Sequence, residues 1–307
     1  MNVINIYCEF EFLKKFYAPV PEREKSVSPG KSQDEKYLIE LDTLLCRRNC
    51  GIFLNIDKNT FNSFINDTSY LGIALSGLLS AHADGHTMMQ FSQKKESLLS
   101  KCSTIFLLGE SEDQCKRWQE KHGLFFISSE NYLEPAQFLF SPYIKPITKR
   151  ITNWDFLRKY RHPCNSITLI DPYLLSVEFY RINNLKTNIK TLFDALLPEK
   201  FQNGSFSVKI YTRREESDTN RYNYEKNQQI IKDTIKNIRR YSYSIDVSFP
   251  DTQEKLHDRY LLTNYCLFSC GYGFLLNPSR RETVTILTVW PLTSSSDLIQ
   301  TLKDKFA

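Results

Sequence analysis

No apolar run in the 307-residue chain approaches the roughly 18 residues that a membrane-spanning helix needs. The first residues, Met1 to Glu9, lack a basic region followed by an apolar stretch, so no secretory signal is expected. A Gly-x4-Gly-Lys-Ser/Thr loop is missing, which argues against an NTPase, and without a Gly-x-Ser-x-Gly turn an α/β-hydrolase is unsupported. Glycine and proline are scarce, at 10 and 12 residues, which excludes collagen-like and low-complexity architectures. The eight cysteines are scattered. The pairs Cys46/Cys50 and Cys266/Cys270 are C-x3-C, without the C-x2-C spacing and matched histidines of a strong zinc site. The expectation is a soluble cytoplasmic protein with reduced, mostly buried thiols, no membrane partner, no metal and no cofactor.

What is present is a small positive excess, +5 from 40 basic and 35 acidic residues. Residues 1–150 carry 18 of each sign, so the whole excess falls in 151–307. Charge asymmetry of this kind points to a nucleic-acid, membrane or phosphate partner on the C-terminal side, against chance as the plain alternative for so small a bias.

The fold class expected is α/β. Residues 19–35 read as an exposed polar loop. Segments 51–57, 101–109 and 124–128 read as strands, 40–47 and 111–122 as helices, and 70–80 as a leucine-rich stretch of small residues. Pro135, Pro142 and Pro146 punctuate a seam near 142–155, giving an N-terminal α/β domain over 1–150 and a second domain over 151–307. There the rhythm is strand 166–175, ended by Asp171-Pro172, helix 189–197, strand 207–212, helix 225–240, and strands 243–249, 255–263, 265–275 and 283–290. That order predicts one sheet with helices packed on it, closing in consecutive antiparallel strands.

The chemistry concentrates at Leu256-His257-Asp258-Arg259-Tyr260. On a strand, His257 and Arg259 share a face. An imidazole can attack phosphorus or donate a proton, and a guanidinium can hold two non-bridging phosphate oxygens. The alternative for the pair is structural, a His-Arg couple held by acids such as Asp171 or Glu254.

On these residues the second half, over about 155–300, resembles the phospholipase D superfamily, whose motif is His-x-Lys-x4-Asp-x6-Gly-Ser-x-Asn. His257 takes the histidine position, Arg259 the lysine, Asn264 the aspartate and Gly271 the glycine, while Tyr272 and Phe274 replace the serine and asparagine. Asp171-Pro172-Tyr173 resembles the end of the first strand of such domains. The resemblance implies a phospholipase D-like mixed sheet and metal-independent phosphodiester chemistry. One histidine forms a phosphohistidine and a second protonates the leaving oxygen. This chain supplies one motif only, so an active enzyme implies a homodimer with two copies of His257 face to face. The His-Asp-Arg variant is similar to divergent bacterial members linked with antiviral defence or restriction systems. Nucleic acid is the implied partner. The alternative is an inactive domain serving as a nucleic-acid-binding or interaction subunit of a larger defence complex, and lipid headgroups share the same phosphate chemistry. The implied roles are nucleophile for His257, phosphate clamp for Arg259 and polar support for Asn264, with Asp171 as a replacement carboxylate.

Basic side chains interleaved with tyrosines suit a nucleic-acid backbone and unstacked bases. Lys232, Lys236, Arg239 and Arg240 follow helical spacing beside a stripe of Ile230, Ile231, Ile235 and Ile238. Arg213 and Arg214 precede them, with Arg221 and Tyr211, Tyr222 and Tyr224, and Arg280 and Arg281 lie before the last strand. Two weaker features remain. His82, Asp84 and His86 have i,i+4 histidine spacing without a zincin glutamate. Glu9 and Glu11 on a possible first strand, with Asp57 ending another, have the chemistry to hold Mg²⁺.

Overall fold

The computed structural model describes residues 4–18, 33–46, 50–101, 103–148, 150–174, 182–202, 206–212, 221–248, 258–271, 273–274, 276 and 285–306. The described elements run β1 (Ile4–Cys8), α1 (Phe10–Phe16), α2 (Gln33–Leu45), β2 (Cys50–Leu54), α3 (Lys58–Ile65), α4 (Tyr70–Ala83), β3 (Thr87–Gln90), β4 (Thr104–Leu108), α5 (Glu112–His122), β5 (Phe125–Ser128), α6 (Leu133–Phe140), β6 (Tyr143–Ile147), β7 (Ser166–Ile170), α7 (Ile182–Leu196), β8 (Phe206–Tyr211), α8 (Arg221–Lys236), β9 (Tyr243–Ser248), β10 (Tyr260–Leu262), β11 (Cys266–Cys270), β12 (Thr285–Pro291) and α9 (Leu292–Phe306). The protein is an α/β chain that divides into two compact units, residues 1–119 with 124–141, and residues 120–123 with 142–307. The second unit thus takes in residues 142–150, which the sequence reading left with the first domain.

In the first unit every strand but β3 is apolar on both faces. β2, β4 and β5 are buried at every position, the signature of a parallel sheet covered by helices on both sides. They pair in the order β3-β2-β1-β4-β5, every pair parallel. Phe106 and Phe126 stack across β4 and β5 at 4.5 Å. The leucine-rich stretch at 70–80 is helical. Ser69 caps α4 by accepting from the Gly72 amide.

The acids expected on strands sit at the starts of helices instead. β1 stops at Cys8, so Glu9 stands before α1 and Glu11 lies inside it. The Glu9 carboxylate accepts from the Gly109 amide at 3.0 Å. Asp57 is the N-cap of α3, accepting from the Thr60 amide at 2.9 Å and hydroxyl at 2.6 Å. Those Thr60 bonds hold its carboxyl below the usual range. The two histidines are likewise separated: α4 ends at Ala83, Gly85 turns with φ of 73°, and His82 Nδ1 lies 3.1 Å from the Thr87 carbonyl. Among the described residues no three His, Cys, Asp or Glu side chains converge on a metal position.

The second unit holds a seven-stranded mixed sheet, ordered β6-β12-β11-β10-β7-β8-β9. β7, β8 and β9 are parallel, joined through α7 and α8. β10, β11, β12 and β6 continue the sheet antiparallel. The proline-rich seam contributes the edge strand β6, where Pro146 loses no ladder donor that a central strand would need. The core gathers Trp154, Phe193, Phe206, Tyr265, Phe268 and Phe274, all fully buried. Ile231 and Ile235 of α8 are buried, with Ile230 and Ile238 half-buried, as the isoleucine stripe required. Cys266 and Cys270 lie on β11 as buried free thiols. Burial pushes the Cys266 thiol up.

Candidate functional site

β7 is an interior strand of the second unit's sheet, flanked by β8 and β10. Its ladder runs one residue further, with the Asp171 amide donating to the Tyr211 carbonyl at 3.0 Å, and ends at Pro172. The Asp171 side chain folds back and accepts from the Tyr173 amide at 3.0 Å, an Asx turn over the proline. Asp171 is only 2% exposed. Burial raises its carboxyl to about 6, against the pull of the Tyr173 amide, the Arg259 charge and the Phe274 amide.

β10 runs antiparallel to β7 with Tyr260 opposite Ile170, so Arg259 arrives beside Asp171. Its Nε lies 3.9 Å from Asp171 Oδ1, its Nη1 donates to the Gly271 carbonyl at 2.5 Å, and its guanidinium lies over the Tyr173 ring at 4.5 Å. A turn closes the site from β11, the Gly273 amide donating to the Cys270 carbonyl at 2.9 Å. Gly273 has φ of 80°, and a Cβ there would stand 2.8 Å from Asp171 Oδ2. Glycine is required at 273 on both counts. At Gly271, the position aligned with the motif glycine, a Cβ meets only ordinary contact at 3.7 Å from Thr285.

On the other side, Thr212 follows β8 as Asp171 follows β7. It is buried, and its hydroxyl has no hydrogen-bond partner among the described residues. A buried hydroxyl without a partner is costly unless something else satisfies it. The C-terminal edge of β7 and β8 therefore brings together a fixed guanidinium, a carboxyl poised near neutrality and an unsatisfied hydroxyl. Chemically, this set suits an anion with several oxygens and a proton to move.

His257 lies outside the described residues, as do Arg213, Arg214, Arg280 and Arg281. Asn264 is not brought to Arg259. It sits at the opposite end of β7, its Oδ1 accepting from the Asn165 amide at 2.9 Å, the Ser166 amide at 3.1 Å and the Ser166 hydroxyl at 3.3 Å. Its Nδ2 donates to Asn165 Oδ1 at 2.5 Å. Its amide is a lock on the start of β7, so the role of polar support at the site is corrected to a structural one. Phe274 is buried 6.0 Å from the Trp154 ring and serves the core with its side chain.

Arg239 is corrected in the same way. Its Nη1 donates to Asp194 Oδ1 at 2.6 Å, its Nη2 to the Asp194 and Leu197 carbonyls, and its Nε to the Pro198 carbonyl at 2.9 Å. It caps the C-terminal end of α7. Lys232 is half-buried on α8, and Lys236 and Arg240 are exposed. Sequence reasoning missed Gly273 and Thr212. Each left a signal: Gly271-Tyr272-Gly273 follows a strand, and Tyr211-Thr212 ends a parallel strand beside the one carrying Asp171.

No protein-family model matches this chain, and no curated protein sequence matches it.

Proposed function

We propose that the second unit is a phospholipase D-like phosphodiester-engaging domain that acts on or binds nucleic acid, in a bacterial antiviral defence or restriction-type setting. The observation that carries this reading is the placement of Arg259 beside buried Asp171 at the strand edge, two residues after His257. Arg259 binds the non-bridging oxygens. Asp171 and the Tyr173 ring hold its guanidinium plane. In the catalytic form of the reading, His257 attacks phosphorus, the P–O bond to the leaving group breaks, and the His257 of a second copy gives that oxygen a proton. Water then attacks phosphorus, giving a proton to the second copy's His257, and the N–P bond breaks to release the first His257. A carboxyl near 6 beside the clamp adds a group able to exchange a proton at neutral pH.

A second reading is a binding module without turnover. The commitment of Asn264 to the start of β7 favours it, because the family's aspartate position then supplies nothing to the site. Incubating the full chain with single- and double-stranded DNA and RNA in EDTA separates the readings. Metal-independent cleavage lost in His257→Ala supports the nuclease. Salt-sensitive binding without cleavage, weakened in Arg259→Ala, supports the module. Neither cleavage nor binding would overturn both.

A further inference from the structure

A different surface of the second unit carries its own charge. The residues before β7, β8 and β9 meet at the end of α7, so this surface is the N-terminal edge of the parallel strands, opposite the Asp171 edge. A cleft of about 640 Å³ opens there. It is lined by five cationic side chains and two carboxylates, Asp194 and Glu199.

A bare helix C-terminus repels anions, because its last carbonyls carry the negative end of the dipole. Here the carbonyls are covered. Arg239 takes those of Asp194, Leu197 and Pro198, and Arg161 takes those of Asp194 and Ala195 at 2.7 Å and 3.4 Å. Asp194 is neutralised by the same groups. Burial pushes its carboxyl up, but the Arg239 hydrogen bond and the charges of Arg239, Arg161 and Arg158 hold it below its usual range. Over this neutralised end stand Lys200 and Arg240, both exposed, and Arg158, half-exposed and paired with Asp155. The wall is aromatic. Half-buried Phe201 packs edge-on against Phe206 at 5.6 Å and lies 5.8 Å from Tyr241, whose hydroxyl donates to the Pro198 carbonyl at 2.9 Å.

We infer that this cleft binds a nucleotide unit, its phosphate on Lys200 and Arg240 and its base on the Phe201 wall. The volume suits one nucleotide rather than a protein surface. The pairing of cations with a fixed aromatic wall is what a base and its phosphate require together, and an acidic peptide would use only the cations. The inference stands apart from the Arg259 site, since it uses other residues on the opposite edge of the sheet. The shared chemistry admits a free nucleotide or one residue of a single strand.

The test titrates the full chain with adenosine 5′-monophosphate and with a labelled ten-nucleotide single strand, and adds pentaglutamate as competitor. The expected result is binding of one or both nucleotide probes. Lys200→Ser/Arg240→Ser should weaken it about tenfold or more. It should also lower the slope of log affinity against log salt for the strand by about 0.7, the loss of one phosphate contact. Phe201→Leu, which keeps an apolar side chain but loses the ring, should weaken it about fivefold or more. The loss caused by Lys200→Ser/Arg240→Ser should be the same factor in an Arg259→Ala background as in the natural chain, which separates failure here from failure at the other edge. If the double variant unfolds, Arg240→Gln alone should still cost about threefold. Strand binding alone that is lost in the double variant assigns the cleft to nucleic acid, and monophosphate binding lost in it assigns the cleft to nucleotides generally. Absence of binding to both probes, unaltered binding in the variants, or equal displacement by pentaglutamate would overturn the inference.

Discussion

The two ends of β7 are built from similar residues and do opposite things. At the start, Asn264 and Arg239 have their polar groups matched to backbone and side-chain partners, and neighbouring chain ends are locked in place. At the finish, Arg259 stands 3.9 Å from a buried carboxyl whose pKa is raised to about 6, next to a buried Thr212 hydroxyl without a partner among the described residues. Satisfied networks rigidify, whereas unsatisfied buried groups mark places where a ligand completes the set. An arginine in a basic stripe is therefore not a phosphate contact by composition. Its partners decide.

The largest effect that sharpens this contrast belongs to Asn264→Ala. It strips partners from the Asn165 and Ser166 amides, so a loss of about 3–4 kcal/mol is expected in urea denaturation, with polyanion binding at low temperature retained. Next comes Arg239→Ala, which uncovers the carbonyls at the end of α7 and should cost about 2–3 kcal/mol. Arg239→Lys should recover little of this, because one ammonium does not reproduce the guanidinium fork.

Asp171 tests the other end through pH. Its folded carboxyl is raised above the ordinary 3.8, so the folded state holds this proton more tightly than the unfolded chain. The stabilisation is complete below pH 3.8 and is lost as pH rises through about 6. The swing is on the order of 3 kcal/mol. Asp171→Asn should flatten that part of the stability–pH curve. An unchanged slope would mean that the Asp171 carboxyl is solvated rather than buried. The smallest stability effect in the series should be that of Arg259→Ala near pH 5, where Asp171 is mostly protonated, and it should grow above pH 6 as the carboxylate loses its nearby cation.

Much of the architecture was legible because it is written in apolar periodicity. The buried runs of β2, β4 and β5 and the isoleucine stripe of α8 need only burial to declare themselves. β3 and β6 were missed, one a short edge strand and the other interrupted by Pro146, and both lack a long apolar run. Asp171 was legible through Asp-Pro at a strand end. Asn264 was misassigned because linear spacing along a motif does not say which end of a neighbouring strand a residue reaches. β10 is three residues long, so Arg259 and Asn264 fall on opposite sides of it. Arg239 was misassigned because its acceptors are main-chain carbonyls some 40 residues earlier, which composition does not reveal.

The two arginines also give the most direct measurement. The side-chain Nε–H signals of Arg259 and Arg239 would be followed by NMR while dimethyl phosphate, a phosphodiester with no base, is added to the full chain. The account predicts that the Arg259 signal moves with saturation and is abolished in Arg259→Lys, while the Arg239 signal, committed to its own acceptors, moves far less. A stationary Arg259 signal, or movement of Arg239 alone, would contradict the claim that the C-terminal edge of β7 is where this protein meets phosphodiester.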